Sequence, residues 1–296
     1  MQKHAFLIMA HHQLPLLKKL IHQLDDERND IYIHVDKKTA NFDFEELCAS
    51  AEKSQIYFTD RTSVTWGGYS QIRCELVLLK AAVGRNYAYY HLISGADLPL
   101  ISQDEFHAFF DRISGQEIVG FECPQIRPEF LPRIRYYHFF QNAVGRKTTL
   151  LTYAERALIK LQAALKIDRT KKWKARYHIR AFQKGSNWFD ITDDLAKYVV
   201  GREDEIRRMY RRTFCADEIF LQTLVENSPF KEKLYYHGFG SYQSTFRFVD
   251  WTRGNPYTFR SGDYDAIKNS RCFFARKFDM GVDSEIVERL CGDLKK

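Results

Sequence analysis

An apolar run, a helical repeat and a second apolar run follow one another within the first 36 residues, and few architectures accept that order. Residues 5–10 (AFLIMA) read as a buried strand; Leu14, Leu16, Leu17, Leu20, Ile21 and Leu24 recur at helical spacing; residues 30–36 (DIYIHVD) read as a second strand. Strand, helix and strand over this length form a βαβ unit, which implies a parallel sheet with a right-handed crossover. The alternation continues through a helix over 44–52, a short strand over 56–58, a helix over 71–82 and a strand over 89–93. The expected fold is α/β, with a Rossmann-like nucleotide-binding sheet as its first half. Ligands of such sheets lie beyond the carboxyl ends of the strands, where this chain has His11, His12, Asp36 and Ser94-Gly95-Ala96-Asp97.

The pattern changes over residues 125–183, which are rich in Arg, Lys and Tyr and poor in strand periodicity. An amphipathic helix is predicted over 153–167. A basic stretch follows, with Arg169, Lys171, Lys172, Lys174, Arg176, Arg180 and Lys184. Such a run is commonly a solvated face, and contact with a membrane or an acceptor is the alternative. Beyond it a strand is predicted over 187–191 and helices over 193–200, 203–212, 216–226 and 284–294. A chain of 296 residues suits one such domain with a large core.

Hydrophobic residues at 45% and charged residues at 28% give a globular balance. The net charge of +7 and a pI near 9.0 imply an anionic partner: a nucleotide, a phosphorylated lipid, a membrane face or nucleic acid. No apolar run of about 18 residues occurs, and residues 1–12 are too short and polar-ended for a secretory signal, so a soluble protein is expected. Six cysteines without a CxxC pair indicate neither zinc nor redox chemistry and fit reduced thiols in a cytoplasm.

Asp36 ends a strand, where a carboxylate can accept from a ribose or a uracil N–H, or simply cap a turn. No GxGxxG or GxxxxGK[ST] is present. Diphosphate-handling enzymes often use a metal bound by a DxD motif; the literal match, Asp263-Tyr264-Asp265, follows Ser261-Gly262 and reads better as a turn or helix cap. Without a metal, fixed cations must answer the charge growing on a leaving phosphate, and Arg253, Arg260, Arg276 and Lys277 are available late in the chain. Asp217 and Glu218 open a predicted helix. Acids there favour the helix dipole in any protein, and one of them can equally be a general base.

Six segments in order, HVD (34–36), WGGYS (66–70), HLISGADLPL (91–100), GSNWF (185–189), ADEIFLQTL (216–224) and FARKFD (274–279), resemble the core-2/I-branching β-1,6-N-acetylglucosaminyltransferase family, which includes peptide O-xylosyltransferases. The resemblance implies a single GT-A-type domain with an N-terminal parallel or mixed sheet, inversion at the anomeric carbon, and a UDP-sugar donor used without a divalent metal or other cofactor. It divides the chain into a nucleotide-binding half (1–124), a basic acceptor-side insert (125–184) and a catalytic half (185–296). Glu218 resembles the base that deprotonates the acceptor, and Lys277 the lysine that grips the diphosphate. Arg253 is preferred over Arg260 as its partner. His11, Asp36 and Ser94 are similar to residues of the donor pocket; Trp188, Asp217 and Trp251 fall on the acceptor side. Animal members carry an anchor, a stem and disulfides that are not expected here. The chain resembles a bacterial member acting in the cytoplasm, or peripherally at the inner membrane, on a glycan or lipid-linked glycan of a surface polysaccharide. N-acetylglucosamine is the implied donor sugar, with xylose or another hexose open. A nucleic-acid or anionic-surface binding protein would explain the pI but leaves the strand-end motifs without a purpose, so nucleic acid is not an expected partner.

Overall fold

The computed structural model describes residues 2–40, 42–240 and 244–294. β1 (His4–Ala10), β2 (Asn29–Val35), β3 (Gln55–Phe58) and β4 (Tyr89–Ser94) run parallel, with α1 (Leu14–Leu24), α2 (Phe44–Cys48) and α3 (Ser70–Ala82) as their crossovers. α1 forms because five of its six leucine and isoleucine side chains, at helical spacing, are buried on one face, and Pro15 sits in the first turn, where its missing N–H costs nothing. β5 (Asp97–Pro99) leads into α4 (Gln103–Arg112), started by a reciprocal capping box between Ser102 and Glu105, and then β6 (Ile118–Val119). The basic insert contains α5 (Leu131–Arg135), α6 (Gln141–Val144), α7 (Leu150–Ala164) and α8 (Arg169–Tyr177).

β7 (Phe189–Thr192) then returns antiparallel between β4 and β6, giving a mixed sheet of order β3-β2-β1-β4-β7-β6. The fold is α/β as expected, a mixed sheet flanked by helices. Strand alternation separates two cores. Ala5 and Leu7 face one that includes α3, α9 (Asp193–Val200), α10 (Glu203–Tyr210) and α11 (Phe220–Glu226), whereas Phe6 and Ile8 face α1 and α4. A third core, with Leu98, Phe259, Ala275 and Phe278, lies under a smaller sheet of order β5-β9-β8, made with β8 (Arg247–Val249) and β9 (Phe274–Arg276) and backed by α12 (Tyr264–Asn269) and α13 (Ser284–Asp293).

A buried ion pair joins the sheets. Asp190 on β7 receives the Arg247 guanidinium of β8 at 2.7 and 3.2 Å and lies 2.9 Å from His91 Nδ1 of β4. Arg247 and His91 together hold the Asp190 carboxylate ionised against the burial that opposes it.

Three expected boundaries move. The 44–52 helix stops at Cys48, and the 153–167 helix runs earlier, over Leu150–Ala164, because Thr149 and Thr152 cap its start. The helix read over 216–226 is two pieces: a 3₁₀ turn, Ala216–Glu218, and α11 after a break at Ile219. Tertiary bonds make that break, since Cys215 N–H donates to Gly67 C=O and Gly185 N–H to Glu218 C=O, both at 2.9 Å. The acids are therefore not the first turn of α11, and a helix dipole does not account for them.

Candidate active site

The parallel register sets Met9 opposite both His34 and Ser94, so His11, Asp36 and Gly95 emerge along one edge. The turn after β2 is pinned from several sides. Asp36 Oδ1 accepts the N–H groups of Lys38 (2.9 Å) and Val64 (3.4 Å), Arg61 donates to the carbonyls of Val35, Asp36 and Thr39, and Thr39 Oγ1 donates to His11 C=O at 2.8 Å. Burial pulls the His11 imidazole down to about 4, with His12, Arg276 and Lys277 adding to the effect and Asp36 opposing it. The ring is thus neutral near pH 7. Arg276 reaches Ser94 on the same edge, and Phe278 N–H donates to Ala96 C=O at 3.0 Å, which brings the intervening Lys277 there too.

β9 delivers those cations. Arg276 pairs with Asp97 in the β5 register; its Nε donates to Asp97 Oδ1 at 3.0 Å, and Nη2 lies 3.4 Å from Ser94 Oγ. Ser94 Oγ in turn donates to Asp97 at 2.5 Å, and the guanidinium stacks 4.4 Å above the Trp188 ring. Lys277 follows, half-buried, its backbone bonded to Tyr257 and Phe259; among the described residues its ammonium has no ion pair. Arg253 is engaged elsewhere, with Asp250 (2.5 Å), Asp263 (2.7 Å) and the Tyr257 ring. Arg260 is exposed and without an ion pair among the described residues, and Trp251 is 61% exposed. Asp263 accepts from Arg253 and from Arg260 N–H, closing the 3₁₀ turn Ser261–Asp263 before α12, which is the turn reading of the literal DxD.

Asp217 and Glu218 face opposite ways. Glu218 is about one-third exposed (34%), with Arg133 Nη1 at 2.9 Å and Lys184 Nζ at 3.4 Å. Asp217 is buried, accepts from Gln71 Nε2 at 2.8 Å, and is pushed up to about 7 by burial and by Glu218. Behind it Glu75, fully buried, is raised well above the carboxylate range by the same two effects, burial and the Asp217 charge. Of these three acids, Glu218 alone offers an accessible carboxylate. Residues 184–188 connect it to the cations: Gly185 bonds Glu218, and Trp188 carries Arg276. Gly185 packs so closely that a Cβ there would lie 1.8 Å from Gly120 O.

Sequence reasoning identified His11, Asp36, Ser94, Trp188, Glu218 and Lys277, which this geometry brings together in two linked groups. It named Arg276 among four late cations but assigned it no role of its own. It missed Arg133, whose partner lies 85 positions away.

A family model described as Core-2/I-Branching enzyme matches residues 4–270. Xylosyltransferase 2 of Rattus norvegicus is 26% identical over 307 residues, covering 97% of this chain and 33% of the relative. Xylosyltransferase 1 of Homo sapiens is 23% identical over 309 residues, covering 97% and 30%. The chain spans about a third of the length of these curated relatives. The crystal structure of mouse xyloside xylosyltransferase 1, apo form, superposes with a TM-score of 0.40 at 10% identity, over 93% of this chain and 97% of that one.

Proposed function

The chain belongs to the Core-2/I-Branching enzyme family, and from that premise we propose that it is an inverting glycosyltransferase that moves a sugar from UDP to a hydroxyl of a glycan acceptor. The observation that carries the reading is the adjacent pair Arg276 and Lys277, held at the carboxyl edge of the parallel strands beside Ser94 and Ala96. Two fixed cations there suit a diphosphate, and neutral His11 with Asp36 suits the nucleoside. Glu218 takes the proton of the acceptor hydroxyl, and the oxygen attacks the anomeric carbon from the face opposite UDP. The bond to the diphosphate breaks with its electron pair, whose charge Arg276 and Lys277 stabilise without reorganisation. Arg133 and Lys184 orient the carboxylate. Arg253, which the family resemblance favours, must leave Asp250 and Asp263 to join them; Arg260 has no such commitment among the described residues.

The donor sugar is N-acetylglucosamine in this reading. The xylosyltransferase relatives favour xylose as the second choice. The cationic pair takes the place of a divalent metal, so transfer should persist in excess EDTA; activity lost to EDTA and restored by manganese would contradict this. The acceptor belongs to a bacterial surface glycan handled in the cytoplasm. Thermal stabilisation across a panel of UDP-sugars, followed by a transfer assay with the best, tests the whole reading. At [L] of about 100 Kd a ligand adds about 2.7 kcal/mol, a readily seen rise in Tm. No rise with UDP or any UDP-sugar would overturn it.

A further inference from the structure

α7 is built inside out. Its Glu155 carboxylate points inward and accepts the N–H groups of Phe139 and Phe140 at 3.0 Å, and its Gln162 amide bonds both backbone groups of Tyr137 at 2.8 and 3.0 Å. The outer side carries apolar groups instead. Leu150, Leu151, Tyr153 and Leu161, with Leu165 just past the helix end and Phe139 before it, are six of the eleven exposed large hydrophobic side chains among the described residues. Single exposed leucines are ordinary; a set gathered on one helix marks a contact surface.

The next helix is as unusual in charge. From Arg169 to Phe189 the sequence has seven cations and no acid. Arg169, Lys172 and Arg176 of α8 meet Arg208, Arg211 and Arg212 around a cavity of about 330 Å³, with Tyr137 and Trp173 in its wall. None of the six has an ion pair among the described residues, and Arg169 is buried on the Ile134 carbonyl (2.8 Å) and the Thr213 hydroxyl. Cations gathered without a counter-charge are completed by an anion. The Gln162 anchor on Tyr137 ties this cavity to the α7 segment carrying Leu161 and Leu165.

We propose that the α7–α8 face docks on a bilayer containing anionic phospholipid, the α7 leucines entering the headgroup boundary and a lipid phosphate occupying the cationic cavity. A soluble phosphate compound would leave the leucines in water, and an apolar protein partner would leave the six cations unanswered. An anionic membrane answers both. The inference is independent of the donor-site reading.

Co-sedimentation of the full chain with phosphatidylcholine vesicles, with and without phosphatidylglycerol, tests it. Binding should require phosphatidylglycerol and weaken in high salt. Two variants, Leu161→Gln with Leu165→Gln and Arg208→Ala with Arg211→Ala, should each weaken it on the order of tenfold or more while Tm and UDP binding stay unchanged. Equal binding to both vesicles, or variants that bind like the parent, would overturn the proposal. So would stabilisation by inorganic pyrophosphate that the Arg208→Ala with Arg211→Ala variant loses, without vesicle binding, which assigns the cavity to a soluble anion, or self-association abolished by the leucine variant, which assigns the face to a second copy.

Discussion

At the scale of single residues, the account rests on unlike neighbours. Glu218 is accessible and ion-paired, whereas Asp217 beside it is buried and raised to about 7. Glu218→Gln should fold like the parent, since the lost pairs are partly solvated, and should lower kcat by about 10² to 10⁴; a variant keeping more than about a tenth of the parent rate would contradict the assignment. Lys277→Ala should weaken UDP binding by roughly ten- to a hundredfold in calorimetry, the loss of one charged hydrogen bond. The buried Asp217 makes a pH prediction. Its folded state keeps a proton that the unfolded chain releases, so stability falls as pH rises from the ordinary carboxylate range to about 7. Asp217→Asn removes that loss, and its Tm relative to the parent should be more favourable at about pH 8 than at about pH 5. The sequence made Glu218 and Lys277 legible because each sits in a compact local motif. Only the family resemblance separated Glu218 from Asp217; local pattern could not, because burial against Gln71 and Glu75, and pairing with Arg133, are long-range events.

At the scale of elements, the βαβ start was legible to within a residue or two at each boundary, because its cause is local apolar periodicity in residues such as Leu16, Leu17 and Leu20. The strands that position the site were not. β5, β8 and β9 have three residues each, and Asp97 pairs with Arg276 across 179 positions, so no local pattern announces them. What fixes their sheet against the larger one is Asp190 with Arg247. Asp190→Asn leaves a buried guanidinium poorly compensated and should cost about 3–5 kcal/mol in urea unfolding. Gly185→Ala drives a methyl into Gly120 and should cost about 1–3 kcal/mol, with loss of activity because the segment between Glu218 and Trp188 must move.

At the scale of the molecule, a mixed sheet supplies a carboxyl edge, a small second sheet brings two cations to it, and a turn before α11 presents a carboxylate through the 184–188 segment. The change of character over residues 125–183, where α5 to α8 lie, was visible in composition. The inside-out α7 was not, because an amphipathic pattern reports two faces without saying which is buried. Among the described residues no helix is long and apolar enough to cross a membrane. The central claim, that Arg276 and Lys277 hold the diphosphate opposite a Glu218 base, is met most directly by a crystal structure with UDP bound in EDTA. The account predicts phosphate oxygens within hydrogen-bond distance of both cations, with the uracil near His11 and Asp36; UDP seated away from β9 would contradict it.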